Sequence, residues 1–217
     1  MGRSLSLAAY RALTWRGARP ADGSMPSRPK GELLWVHVTT QQRFVAVGDL
    51  CRRLLAQRSG LNVLFTCPSE ASRAFWDKPS AMLTVAPADH LNAARAFLDH
   101  WKPNLCLWSG GELRPNVINQ TANRNIPMIL MDVGEVDLQV HRHRWLPDLT
   151  RTTLEFFDTI LVNGEQTARQ MQRSGVRSSK ISVSAELRVS PNPTPWPEEE
   201  LNQTTATLGG RPVWLAA

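Results

Sequence analysis

From Glu32 onward the chain alternates between short, unbroken apolar runs and longer stretches in which apolar residues recur every three or four positions. The runs Leu33 to Val38, Asn62 to Thr66, Met82 to Ala86, Leu105 to Trp108, Met128 to Met131, Thr159 to Val162 and Ile181 to Val183 predict strands buried on both faces, because a half-solvated strand would alternate apolar with polar residues. Between them, Phe44, Val47, Cys51, Leu54 and Leu55 fall on one helical stripe, as do Leu91, Ala94, Leu98 and Trp101. Further helices are predicted across Leu113 to Ala122 and Glu165 to Ser174. Strand following helix in this way predicts an α/β fold with a Rossmann-like, doubly wound parallel sheet and flanking helices.

The flanks differ from this body. Residues 1–31 predict a short helix from Leu5 to Trp15 and then a flexible connector, Gly17 to Gly31, rich in Pro, Gly and Ser. Leu5, Ala9 and Leu13 share a stripe of that helix while Arg3, Arg11 and Arg16 lie elsewhere, a pattern suited to an anionic membrane surface. A helix docked on the protein, or a frayed tail, is the commoner fate of so short a segment. Residues 32–190 form the α/β domain; 191–212, with Pro191, Pro193, Pro195, Pro197 and the acidic run Glu198 to Glu200, read as a linker; and 213–217 read as the opening strand of a further domain.

Composition narrows the function classes. The net charge of +6 favours anionic partners, but no helix-turn-helix, RNP, KH or zinc-finger pattern accompanies it, so a nucleic-acid partner is not expected. The three cysteines, Cys51, Cys67 and Cys106, are odd in number, widely spaced and set in apolar surroundings, which predicts a reducing, cytoplasmic compartment rather than a disulfide framework. No apolar run reaches the roughly 18 residues of a membrane-spanning helix, and no signal peptide is expected.

In a doubly wound sheet ligands gather at the carboxyl ends of the strands. Three loops qualify: Thr39-Thr40-Gln41-Gln42-Arg43, Ser109-Gly110-Gly111-Glu112, and the segment opening at Asp132. Gly110 and Gly111 could cradle a phosphate, or simply make a tight strand-to-helix turn. Glu112 could border a ligand, or counter the dipole of the helix starting at Leu113. Asp132 could be a helix cap, a ligand contact or a base. His141, Arg142, His143 and Arg144 could grip an anionic headgroup or form a solvated basic loop; as metal ligands the two histidines lack a third partner at a recognised spacing.

Several strings resemble one family. GELLWVH from Gly31, WKPNLCLWSGGELRPNVI from Trp101, NIPMILMD from Asn125, FDTILVNGEQTARQMQRSGV from Phe157 and the terminal LGGRPVWLAA are similar, in order and spacing, to segments of 3-deoxy-D-manno-octulosonic acid (Kdo) transferases. The resemblance implies the N-terminal half of a GT-B glycosyltransferase, the half that handles a lipid A precursor at the inner face of the cytoplasmic membrane. The donor CMP-Kdo would bind a second domain, so no cofactor site is expected in this chain, and a separate donor-binding domain is a possible partner. With the three loops, the resemblance gives expected acceptor contacts at Thr39, Thr40, Gln42, Gly110, Gly111, Glu112, Asn116 and Asp132; the basic residues Arg11, Arg16, His141, Arg142, His143 and Arg144 are, by their own chemistry, expected anion or lipid contacts. The family's catalytic base, the glutamate ending its SVGE loop, falls on Arg43, which cannot act as a base; one loop glutamate falls on Gly110 and an arginine on Gly134. Glu112 is the retained candidate for the base, and the chain alone is expected to be inactive. The alternative is a non-catalytic paralogue that binds an anionic glycolipid or a partner protein.

Overall fold

The computed structural model describes residues 5–14, 25–76, 82–140 and 147–188, together with 202–203, 205–207 and 209. In chain order the elements are α1 (Leu5–Thr14), β1 (Glu32–Val38), α2 (Gln41–Gln57), β2 (Leu61–Cys67), α3 (Glu70–Trp76), β3 (Met82–Val85), α4 (Leu91–Trp101), β4 (Leu105–Ser109), α5 (Pro115–Ala122), β5 (Met128–Val133), α6 (Glu135–Val140), α7 (Pro147–Leu154), β6 (Thr159–Asn163), α8 (Glu165–Arg173) and β7 (Ile181–Ser184). The strands form one parallel sheet in the order β3-β2-β1-β4-β5-β6-β7. The chain winds outward from β1 to β3, then crosses back to β4 on the other side of β1. The crossovers therefore leave β1 and β4 in opposite senses, and a crevice opens at the carboxyl ends of these two strands.

Burial on both faces explains the continuous apolar strands. On one face Leu33, Trp35, Cys106 and Trp108 pack with Ala94, Phe97, Leu98 and Trp101 of α4 and with Val117 and Ile118 of α5. Trp35 sits 5.0 Å from Phe97 and 6.0 Å from Trp108, ring centre to ring centre. On the other face Phe44, Val47 and Cys51 of α2 cover Val36, Val38, Phe65 and Leu107. The four predicted helices of the body and all seven strands are present, whereas α3, α6 and α7 were not foreseen. They have 7, 6 and 8 residues.

Two boundaries shift for physical reasons. Helix α5 starts at Pro115 rather than Leu113: proline fits the first helical position, and the free N–H groups of Asn116 and Val117 are capped by Asp89 Oδ1 at 2.9 and 3.0 Å. Glu112 therefore lies ahead of the helix, not in its first turn. Strand β5 runs on to Val133 through the polar Asp132, past an irregularity in its pairing with β6 between Leu130 and Val133.

The N-terminal helix is present and docked. Leu7 is buried, Tyr10 donates from its hydroxyl to Asp89 Oδ2 at 2.7 Å, Arg11 donates to Asn119 Oδ1, and Asn116 Nδ2 donates to Thr14 Oγ1 at 3.0 Å. The stripe expected to meet lipid is the outer face, with Leu5 86% and Leu13 75% exposed. Residues 25–31 are held in part by Arg28, whose guanidinium donates to the carbonyls of Trp101 and Pro29. Of the expected linker, residues 202–203 and 205–207 are helical and Gly209 lies in a turn; the rest of it, and 213–217, lie outside the described residues. No helix among the described residues is long and apolar enough to cross a membrane.

Candidate functional site

The crevice is built from the ends of β1, β4 and β5. Thr40 caps α2, its hydroxyl accepting from Arg43 N at 3.3 Å. That places Arg43 in the first turn, where the helix dipole disfavours a cation by about 0.3–1 kcal/mol. Two aspartates offset this. Arg43 Nε donates to Asp132 Oδ2 at 3.1 Å and one terminal nitrogen to the Asp132 carbonyl at 3.0 Å. Its two terminal nitrogens also grip Asp137 side-on, at 3.0 Å to Oδ1 and 2.6 Å to Oδ2. The three side chains are only 18%, 7% and 9% exposed respectively, so solvent screens them weakly.

Backbone geometry is fitted to this cluster. Asp132 has φ +56°, a left-handed conformation that aspartate tolerates better than most residues, and it sits in the irregular stretch of β5. The side chain reaches Arg43 with one oxygen, while the other accepts from Asn163 Nδ2 at 3.0 Å and Leu187 N at 3.1 Å. Gly110, at φ +46°, lies against the Arg43 guanidinium so closely that a Cβ would fall within it; Gly111, at φ +67°, lies likewise against Thr39. Of the two readings of Gly110 and Gly111, a phosphate cradle or a tight turn, the contacts fit the turn, since both N–H groups are already engaged. Gly110 N donates to the Met131 carbonyl at 2.8 Å and Gly111 N to Asp137 Oδ1 at 2.7 Å.

Burial alone would raise the Asp137 carboxyl, but hydrogen bonds from Arg43, Gly134 N and Gly111 N, with the Arg43 charge, hold it below the ordinary carboxylate value. Burial would likewise lower Arg43; the two aspartates outweigh it and push the guanidinium still higher. A group so firmly protonated neither takes a proton from a hydroxyl nor gives one up. What the cluster can do is orient, neutralise and bind.

The other expected site residues divide between crevice and interior. Thr39, Thr40, Gly111 and Glu112 are partly or fully exposed on the loops after β1 and β4, and Gln42 is exposed in the first turn of α2. Asn116 is instead wholly buried under α1, its amide donating to the Asp89 carbonyl and to Thr14. Arg11 faces the protein at Asn119 rather than solvent. Arg16, His141, Arg142, His143 and Arg144 lie outside the described residues. Sequence reasoning missed Asp137, Asp89 and Arg114, the last of which donates to the carbonyls of Pro68, Ala86 and Pro87 and so ties the loops after β2 and β3 to the crevice. Only the D-V-G-E-V-D spacing after β5 could have signalled Asp137. Among the described residues no group of three or more His, Cys, Asp and Glu is arranged to hold a metal ion.

Residues 15–190 match the sequence profile of the family described as 3-deoxy-D-manno-octulosonic-acid transferase (kdotransferase). The 3-deoxy-D-manno-octulosonic acid transferase of Haemophilus influenzae is 23% identical over 201 residues, covering 88% of this chain and 46% of that protein. A probable mitochondrial 3-deoxy-D-manno-octulosonic acid transferase of Arabidopsis thaliana is 31% identical over 108 residues, 48% of this chain and 24% of that protein. The chain thus spans less than half the length of these curated relatives. Two solved structures share the fold at 10% identity. They are UDP-GlcNAc 2-epimerase from Neisseria meningitidis bound to UDP-GlcNAc (TM-score 0.51, 83% of this chain and 51% of that one) and Anabaena HepE in complex with UDP (TM-score 0.53, 82% and 50%).

Proposed function

The chain belongs to the 3-deoxy-D-manno-octulosonic-acid transferase (kdotransferase) family, and from that membership we propose that it is the acceptor-side half of a Kdo-transferase-like glycosyltransferase in which Arg43 cannot act as the catalytic base. Its partner is a lipid A precursor or a similar anionic glycolipid, received at the crevice between the loops after β1, β4 and β5. Glycosyl transfer to a sugar hydroxyl needs a group to take the hydroxyl proton as the bond forms. The observation that carries the reading is the lock of Arg43 between Asp132 and Asp137, at the position where the resemblance puts the family's base. Glu112, exposed on the loop after β4, is our candidate for the carboxylate that takes that proton.

On this reading the linker at 191–212 leads toward the donor half, and CMP-Kdo binds there. The outer face of α1, bearing Leu5, Ala9 and Leu13, rests on the cytoplasmic face of the membrane, beside the loop that carries Glu112. Sedimentation with anionic vesicles checks that placement, since Leu5→Ser/Leu13→Ser should lose membrane binding; unchanged binding would reject it.

A second reading, a non-catalytic paralogue that binds an anionic glycolipid, is favoured by the same Arg43 lock. One assay separates the two. The chain is incubated with CMP-Kdo and a lipid A precursor, alone and with the donor half of a relative. No transfer alone, and transfer with the added half that disappears in Glu112→Gln, supports the first reading. Acceptor binding without transfer in either mixture supports the second, and transfer by the chain alone refutes both.

A further inference from the structure

The Asp137 carboxylate is held in a way that ion pairing alone does not require. Each of its oxygens receives one guanidinium N–H and one backbone N–H: Oδ1 from Arg43 at 3.0 Å and Gly111 N at 2.7 Å, Oδ2 from Arg43 at 2.6 Å and Gly134 N at 2.9 Å. Four donors converge on two coplanar oxygens, the arrangement by which proteins bind a free carboxylate. We propose that Asp137 is the tethered occupant of a carboxylate seat formed by Arg43, Gly111 N and Gly134 N, and that a carboxylate ligand takes the same seat when α6 swings away. Nothing in this depends on whether the chain takes part in glycosyl transfer.

Three features support a displaceable occupant. Glu135 and Val136, which open α6, are exposed, Val136 by 74%, so of these first three residues only Asp137 anchors the helix to the crevice. A six-residue helix has little cohesion of its own. The pivot falls at Gly134, which has no side chain to resist rotation and whose N–H stays in the seat. Arg43, by contrast, has a second anchor in Asp132, which holds its Nε and one terminal nitrogen independently of Asp137. The side-on grip of a planar fork on two oxygens favours a carboxylate over a tetrahedral phosphate.

The test is anion-dependent stabilisation of Asp137→Ala, measured by thermal unfolding at constant ionic strength with sodium formate, acetate or phosphate replacing chloride. Formate and acetate should raise the unfolding midpoint of Asp137→Ala in a saturable manner. The effect should vanish in Arg43→Ala/Asp137→Ala. The wild type should respond only at formate concentrations at least about tenfold higher, because a tethered side chain competes at an effective concentration in the millimolar range or above. A response of Asp137→Ala no greater than that of the wild type, a response that survives loss of Arg43, or phosphate matching formate would each overturn the proposal. If Asp137→Ala does not fold, two-dimensional NMR of the wild type decides. The amide signals of Gly111 and Gly134 moving together on addition of formate supports the seat, and no movement up to molar formate overturns it.

Discussion

Replacing Arg43 with alanine removes the single cation from a pocket that holds two carboxylates, and the cost follows from what each carboxylate retains. Asp137 keeps Gly111 N and Gly134 N; Asp132 keeps Asn163 Nδ2 and Leu187 N. Breaking a buried ion pair by deleting one partner costs about 3–5 kcal/mol. Here the arginine is 18% exposed and both acids keep donors, so about 2–4 kcal/mol is expected near pH 7. For a chain of 217 residues that corresponds to a fall of roughly 5–15 °C in unfolding midpoint. The pH dependence fixes the cause. The folded pKa of Asp137 is depressed by Arg43, so its contribution is present above the unfolded carboxylate pKa of about 4 and is lost as pH falls through the lower folded value. The difference between wild type and Arg43→Ala should therefore be greatest at neutral pH and shrink below about pH 4. Urea unfolding of both proteins from pH 7 to pH 3 measures it. Equal stability at pH 7, or a difference that does not change with pH, would refute the reasoning.

Gly110→Ala should destabilise by at least about 1–2 kcal/mol, the cost of a side chain at a left-handed φ, with a further loss from displacing Arg43. In the Arg43→Ala background only the backbone part should remain, and additive losses in urea unfolding would show that the two residues do not touch. The sole tyrosine, Tyr10, is raised well above its ordinary pKa by burial and by the charge and hydrogen bond of Asp89. Absorbance at an ultraviolet wavelength specific to tyrosinate should show it ionising far above pH 10 in the wild type and earlier in Asp89→Asn; coincident curves would contradict the contact. Because the folded pKa is the higher one, this contribution to the docking of α1 is complete below about pH 10 and is lost as pH rises further. Burial, with Arg114 nearby, lowers His37 to about 3, so its ring should show no protonation by NMR between pH 8 and pH 5. Its depressed value makes folding weaker as pH falls below about 6.5, where only the unfolded chain gains the proton.

The sheet and its two apolar layers were legible because burial on both faces leaves its mark on every strand, and periodicity alone placed the strands and the helices α2, α4, α5 and α8 close to where they lie. Sequence reasoning also located the loops of the crevice and singled out Arg43, Gly110 and Asp132. What it could not reach was how those residues meet. Arg43 and Asp137 are 94 positions apart, and nothing local to either announces the other. Asp89 caps α5 from a different loop, so a rule that looks for the cap just ahead of the helix points to Arg114, which makes no capping bond. Asn116 illustrates the opposite error. It stands in a motif that matches the family, yet in this fold it is a buried strut between α1 and the loop before α4. Residue type and order carried the family; the direction in which each side chain points comes only from three-dimensional packing.

Asp132 has one further consequence. Its two oxygens serve different neighbourhoods, Oδ2 the arginine of the first crossover and Oδ1 the main chain at Leu187, just past the last strand. The stretch by which the polypeptide departs from the sheet is therefore moored to the same carboxylate that steadies Arg43. A single acid thus ties the crevice to the point where the chain leaves the sheet.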